Sequence, residues 1–366
     1  MACAAVACLL APAASPSGAL APAAGAVTHV DGISDQSLPA WGGGFPASRL
    51  ALRLRSSLSV GPGSPITLAR YVVQWDVMRE PSGGANPHGN YRERVEAWLA
   101  DVHSLGLAPV VALTSYDGVH PSSAGEYSAA LAAILLAARE LGGPIGYIEP
   151  WNEPNNQGRE SAAKAAEFAN AANALCLARA CRVIAGGFED SPGSVAYAQS
   201  YERGLRFVAS AWGVHPYYAV KTRADASLLR LKAALPAGGL GAELWLTEIG
   251  TFYCRHGRVL GQAAQAAEAS YLINRLIADP AVAAAHVLYF GLLYADGRLA
   301  PCGPSGGDDP ELYGPSGEAR AAAAVVLPEV GAAPVIPAPG APSHASPPPS
   351  NELSLLFGPG PGAEAL

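Results

Sequence analysis

Short apolar runs alternate along this chain with longer, Ala-rich stretches in which apolar residues recur every three or four positions. The runs Val27–Ile33, Leu68–Trp75, Leu107–Thr114, Ile145–Trp151, Arg182–Gly187, Ala211–His215, Leu244–Glu248 and Ala284–Phe290 predict strands. The periodic stretches Arg92–Leu105, Ala124–Leu141, Ser161–Ala180, Gln262–Ala278 and Ser316–Leu327 predict helices between and after them. Eight strands, each followed by a helical segment, is the count of a (β/α)8 (TIM) barrel in the α/β class. A doubly wound open sheet alternates in the same way. Here, however, polar residues fall after successive strand ends and do not gather at one switch point, which favours closure. The pattern places a single barrel domain over residues 27–330. It is preceded by a leader-like segment at 1–26 and followed by a Pro-, Ala- and Gly-rich tail at 331–366, too poor in core-forming residues to fold.

Composition narrows this picture only slightly. Half of the 366 residues are apolar and 14% are charged, which is globular, and the net charge of −7 gives no basic footprint for nucleic acid or anionic lipid. The first thirty residues contain no Lys, Arg, Asp or Glu and include the small-residue cleavage candidate Ala24-Gly25-Ala26, so a secretory signal peptide and an extracellular protein are expected. No other stretch reaches the roughly 20 consecutive apolar residues of a membrane span. Outside the leader four cysteines remain: Cys176, Cys181, Cys254 and Cys302. Three pairings are open, and locality favours Cys176 with Cys181 and Cys254 with Cys302. No CxxC or HxxxH spacing suggests a metal site. The acidic pair Asp308-Asp309 lacks EF-hand spacing and reads as a solvated loop in preference to a calcium site. Nothing in the sequence determines the oligomeric state.

The chemistry is carried by two glutamates placed after apolar runs. Glu153 lies in Glu149-Pro150-Trp151-Asn152-Glu153-Pro154-Asn155 and Glu248 in Trp245-Leu246-Thr247-Glu248-Ile249. Carboxyl groups at the C-terminal ends of barrel strands face the mouth, and two facing carboxyls are what retaining glycoside hydrolysis requires. These motifs, with Trp212-Gly213-Val214-His215-Pro216-Tyr217, resemble clan A of the retaining glycoside hydrolases. Gly32-Ile33-Ser34-Asp35-Gln36 and Ala69-Arg70-Tyr71-Val72-Val73 are similar to secreted actinobacterial members related to cellulases and β-xylosidases. The resemblance covers roughly Val27 to Leu327.

The resemblance implies a cofactor-free enzyme acting on an oligo- or polysaccharide, with Glu153 as acid and base and Glu248 as nucleophile. Arg70 and Tyr217 match the positions that donate to the nucleophile, and Asn152 the one that donates to the sugar 2-hydroxyl. His215 accompanies Tyr217, two residues away on the same face. Aromatic side chains after strand ends are candidates to stack on a sugar ring: Trp75, Tyr116, Trp151, Phe252 and Tyr253. At the eighth strand the relatives' Trp is missing, and Tyr289 or Phe290 stands in its place. Other readings of the same residues remain open. Glu149 shares the strand face of Glu153 and is a rival acid. Arg70 has possible structural partners in Asp76 and Asp31, and His215 fits an ordinary core histidine equally well. The whole chain also fits a catalytically silent secreted glycan-binding barrel, or an inverting or lyase-type enzyme.

Overall fold

The computed structural model describes residues 29–34, 65–79, 91–115, 118–156, 160–236, 241–291, 302, 309–312 and 319–330. The leader, the tail, Tyr116 and Asp308 lie outside the described residues. The strands are β1 (Gly32–Ser34), β2 (Leu68–Gln74), β3 (Ala108–Thr114), β4 (Tyr147–Glu149), β5 (Arg182–Val183), β6 (Ala185–Glu189), β7 (Ala211–His215), β8 (Glu243–Ile249), β9 (Cys254–Arg255), β10 (Arg258–Val259) and β11 (His286–Phe290). Nine of them form one parallel sheet in the order β5-β4-β3-β2-β1-β11-β8-β7-β6, while β9 and β10 make a small antiparallel hairpin. The two edges of the large sheet, β5 and β6, are halves of one extended segment interrupted only at Ile184, whose N–H donates to Ile148 O at 2.9 Å. β5 pairs with β4 and β6 with β7, so the sheet curls into a barrel of eight staves, as the alternating pattern predicts.

Both faces of the strands are buried, which is why they read as nearly continuous apolar runs. Odd positions of β2 (Ala69, Tyr71, Val73) pack outward with helical residues such as Trp98, Leu99, Leu131 and Phe168 in the large outer core. A smaller inner core fills the barrel near the N-terminal ends of the strands: Leu68, Val110, Ile184, Ala211, Trp245, Ala285 and Leu288. Helices Tyr91–Ser104, Ala124–Glu140 and Ala162–Arg179 form where the periodicity predicts. Ser123 and Ser161 cap the latter two, accepting from the N–H of Glu126 and Lys164. Gln262–Tyr271 also forms and runs on as a π-helical segment, Leu272–Ile277. Of the last predicted helix, Ala323–Val326 is α-helical and Leu327–Val330 follows as 3₁₀.

Three further helices, Ser194–Gly204, Tyr217–Thr222 and Ala226–Ala234, are absent from the sequence expectation. The six-residue Tyr217–Thr222 depends on a distant cap, since Asp190 accepts from the N–H groups of Tyr218 and Ala219. Disulfides join Cys176 to Cys181 and Cys254 to Cys302, the pairing that locality favours. Asp309 is not a free solvated carboxylate: both its oxygens bond Arg320, at 2.7 and 2.6 Å. Among the described residues, no helix is long and apolar enough to cross a membrane.

Candidate active site

Above the inner apolar layer, the barrel interior becomes charged. Arg70 on β2 is fully buried and its guanidinium reaches four strands or turns at once. Nη1 donates to Ser34 Oγ on β1 at 3.0 Å and to Glu248 Oε2 on β8 at 2.5 Å. Nη2 donates to Glu149 Oε1 on β4 and to Asn152 Oδ1 just beyond it, both at 2.6 Å. The planar fork of arginine suits such a convergence, and each bond to a carboxylate is charge-assisted. Burial alone would lower the guanidinium pKa, but the carboxylates of Glu149 and Glu248 raise it, so Arg70 stays charged. Asp76 and Asp31 are not its partners: Asp76 accepts from Gln74, while Asp31 holds His286 and the N–H of Val287 at the other end of the barrel.

Glu248 reaches the interior through a break in strand alternation. Val287 pairs with Leu246 and Tyr289 with Ile249, so β8 carries one extra residue opposite β11. A bulge of this kind turns two consecutive side chains to one face. Both Thr247 and Glu248 then point inward: Thr247 Oγ1 lies 3.1 Å from His215 Nε2, and Glu248 Oε1 accepts from the Tyr217 hydroxyl at 2.9 Å. Burial and the nearby Glu248 and Glu153 push the Tyr217 phenol well above its ordinary pKa, so it remains a donor. Each Glu248 oxygen therefore accepts one bond, one from Arg70 and one from Tyr217.

Glu153 is held differently. β4 ends at Glu149, so Glu153 sits on the turn beyond the strand and not on the strand itself. Its φ of 45° lies in the left-handed region that side-chain-bearing residues seldom adopt, a conformation that recurs at functional sites. Its N–H donates to Gly187 O at 3.0 Å, and its carbonyl accepts from Asn156 N. Its carboxyl contacts His215 Nδ1 through Oε1 at 3.0 Å and Asn156 Nδ2 through Oε2 at 2.9 Å. Burial would lower the His215 pKa, but Glu149 and Glu153 beside it, and the charge of Glu248, lift it to about 9. His215 is thus an ionic neighbour of the site. One carboxylate oxygen each from Glu153 and Glu248 and one ring nitrogen of His215 lie within 4.8 Å of one another.

Six of the residues singled out in the sequence converge here: Arg70, Asn152, Glu153, His215, Tyr217 and Glu248. Trp75, Trp151 and Tyr289 do not: they are at most 2% exposed and belong to the outer core. Trp75 donates to Val119 O at 2.7 Å, Trp151 packs on Phe168, and the Tyr289 hydroxyl meets Thr251 at 2.9 Å. Tyr289 alternates with the inward Leu288, so its place on the outer face follows from strand parity. Among the aromatic alternatives, Phe252 lies against Tyr217 with ring centroids 5.4 Å apart, and Tyr253 packs beneath Arg320. Ser34, Thr247 and Asn156 were given no role, although the first two lie inside motifs that were named and Asn156 directly follows one. Short polar residues of this kind carry no spacing that separates them from ordinary loop residues. Glu149 is no rival acid: it is fully buried beneath Asn152, and Arg70 beside it, with His215, holds its carboxyl at about 2 against the upward push of burial.

No protein-family profile matches the chain, and no curated protein matches it by sequence. Solved structures do match its fold. GH5_18 from Streptomyces cattleya, in complex with GlcNAc, aligns at 15% identity over 83% of this chain and 80% of that one, with a TM-score of 0.56. The exo-β-1,4-mannosidase Op5Man5 from Opitutaceae bacterium strain TAV5 aligns at 16% identity over 88% of this chain and 62% of that one, with a TM-score of 0.53. A GH113 β-1,4-mannanase aligns at 10% identity over 83% and 99%, with a TM-score of 0.50. Likeness at these identities establishes the barrel fold.

Proposed function

We propose that this protein is an exported retaining glycoside hydrolase that cleaves β-linked O-glycosides by double displacement. The observation that carries this reading is the approach of Glu153 and Glu248, whose nearest oxygens lie within 4.8 Å across the barrel mouth. Retaining enzymes hold their carboxyls roughly 5–5.5 Å apart, whereas inverting enzymes leave roughly 6.5–9.5 Å for a water between them. In the first step Glu248 attacks the anomeric carbon while Glu153 gives its proton to the departing oxygen. In the second, Glu153 takes a proton from water, which attacks the same carbon and releases Glu248. Arg70 and Tyr217 aim the two Glu248 oxygens. Arg70 also fixes Asn152 through Oδ1, which turns the amide N–H groups outward as donors for a sugar hydroxyl. No cofactor enters this scheme. Two disulfides, favoured in oxidising compartments, support export.

The test is hydrolysis of a panel of aryl β-glycosides, followed by trapping with a 2-fluoro glycosyl reagent and mass spectrometry. Label on Glu248 is expected. Glu248→Ala should lower turnover by on the order of 10⁴-fold or more, and azide should then yield the α-glycosyl azide. Turnover without a label, or unimpaired turnover in Glu248→Ala, would remove the assignment.

A further inference from the structure

Arg70 Nη2 and His215 Nε2 lie 3.4 Å apart in the fully buried floor of the site, two basic groups in contact. The carboxylate that reaches both from below is Glu149, with Oε1 at 2.6 Å from Arg70 and 3.7 Å from His215. Its space is carved from two neighbouring strands. A Cβ at Gly187 would stand 2.6 Å from Oε1, and one at Gly213 would stand 3.1 Å from Oε2. Gly187 occupies a bulge in β6, between the Gly186–Gly213 and Phe188–Val214 pairs, with φ of 73°. Among the described residues Oε2 has no hydrogen-bond partner. A buried carboxylate oxygen without a donor is costly, so the anion is held there by the adjacent charges.

We propose that Glu149 is a positioning residue of this site, the fixed counter-anion that locks Arg70 beside His215 and sets the charge felt by Glu153 and Glu248. The inference rests on the glycosidase reading above. The groups facing Glu149 are Arg70 from β2, His215 from β7 and the neutral phenol of Tyr201 from helix Ser194–Gly204. Glu248 lies beyond Arg70, and Glu153 beyond His215. With Arg70 and His215 charged, Glu149 and Glu248 balance them, and Glu153 is free to carry the proton that moves. Without the Glu149 charge, Arg70 and His215 face the catalytic pair with no third carboxylate beside them. Both catalytic carboxyls then release protons more readily.

The experiment is the pH profile of kcat/KM for Glu149→Gln, which keeps shape and an acceptor for Arg70 but removes charge. Both limbs should move to lower pH by about one unit, while Glu149→Asp, retaining the charge, keeps the wild-type limbs with lower kcat. A purely structural role predicts that the limbs of Glu149→Gln stay in place, and that result overturns the proposal. If Glu149→Gln does not fold, or the wild-type protein hydrolyses no glycoside, nitrogen-15 NMR of the imidazoles in the wild-type chain decides. The chain has eight histidines, and His215 is assigned by the resonance lost in His215→Gln. A charged His215 imidazolium at neutral pH supports the charge balance, and a neutral ring refutes it. Absence of turnover with a charged His215 would defeat the enzyme assignment alone.

Discussion

The barrel interior is built of two layers, equally dry and opposite in character. In the lower one, Leu68, Val110, Ile184, Ala211, Trp245, Ala285 and Leu288 fill the space between the strand starts, none more than 5% exposed. In the upper one, Arg70, Glu149, His215 and Thr247 are each 0% exposed, yet three of the four are ionisable. The same staves furnish both: β2 gives Leu68 below and Arg70 above, β7 gives Ala211 and His215, β8 gives Trp245 and Thr247. Burial therefore does not separate scaffold from site. The lower layer gains stability by excluding water from apolar surface. The upper one must recover, through mutual neutralisation, what its groups lost in leaving water, and the net gain is small. Among the described strands of the barrel, the register shifts at the β6 and β8 bulges, both near the upper layer, and the left-handed Glu153 stands beside them. The candidate site gathers where the strand pattern is broken.

The strongest way to break the comparison is Arg70→Met. It leaves Glu149 and Glu248 facing each other without their shared cation, and uncompensated buried charge costs about 3–5 kcal/mol. If Glu248 is the nucleophile proposed above, losing its donor should also lower kcat by on the order of 10²–10³-fold. Urea unfolding and glycoside turnover measure the two effects, and a variant that loses activity alone would mean that the ion cluster is better solvated than its burial suggests.

Trp245→Ala is the matching change below. It removes a fully buried ring that touches Tyr147 and His286, and the cavity should cost about 3–5 kcal/mol. Turnover at a temperature where the variant is folded should remain near wild type. A large loss of kcat in folded Trp245→Ala would show that the layers are not independent.

The lower layer was legible from the sequence, and the upper one only in part. Strand bounds follow expectation closely where an apolar run was continuous: Leu68–Gln74 ends one residue earlier than expected, and Ala211–His215 has the bounds expected. Glu153 and Glu248 were singled out because their flanking residues form a compact motif, and the fold brings the two together. Trp75, Trp151 and Tyr289 were misplaced because proximity to a strand end does not say which face a ring takes; the strand's parity does, and for Tyr289 the inward Leu288 beside it points the hydroxyl outward. The bulges were invisible for a related reason. One extra residue inverts that parity, and only pairing with the neighbouring strand reveals it. Helix Tyr217–Thr222 was missed since its cap, Asp190, is remote in sequence.

Titration separates the layers without mutation of the scaffold, since none of the seven lower-layer side chains carries an ionisable group. His215 is raised in the folded state from its ordinary 6.5 to about 9. Its contribution is therefore complete below about pH 6.5 and disappears as pH rises through 9, a loss of at most roughly 3 kcal/mol. Glu149 is lowered to about 2 from an ordinary 4.5, so its contribution is complete above about pH 4.5 and is lost as the pH falls toward 2. Thermal midpoints recorded across this range should form a plateau near pH 4.5–6.5 with a decline on each side. His215→Gln should flatten the alkaline decline and only soften the acid one, because Arg70 still holds the Glu149 carboxyl down. Parallel curves for the two proteins would remove His215 from the charge balance.

The smallest expected effect sharpens the contrast most, because it repeats one chemical change in a different setting. Glu243 at the start of β8 pairs with Arg182 at 3.1 Å and accepts from Trp245 Nε1 at 3.0 Å. The pair is open to solvent, with 43% of the Arg182 side chain and 17% of the Glu243 side chain exposed. Water screens such a pair, so Glu243→Gln should cost less than about 1 kcal/mol. The amide oxygen still serves Trp245, and kcat, KM and both pH limbs should match the wild type. Glu149→Gln deletes the same charge from the upper layer and is expected to move those limbs. If Glu243→Gln moved them as far, charge anywhere in the barrel would tune the site, and the upper layer would lose its special standing.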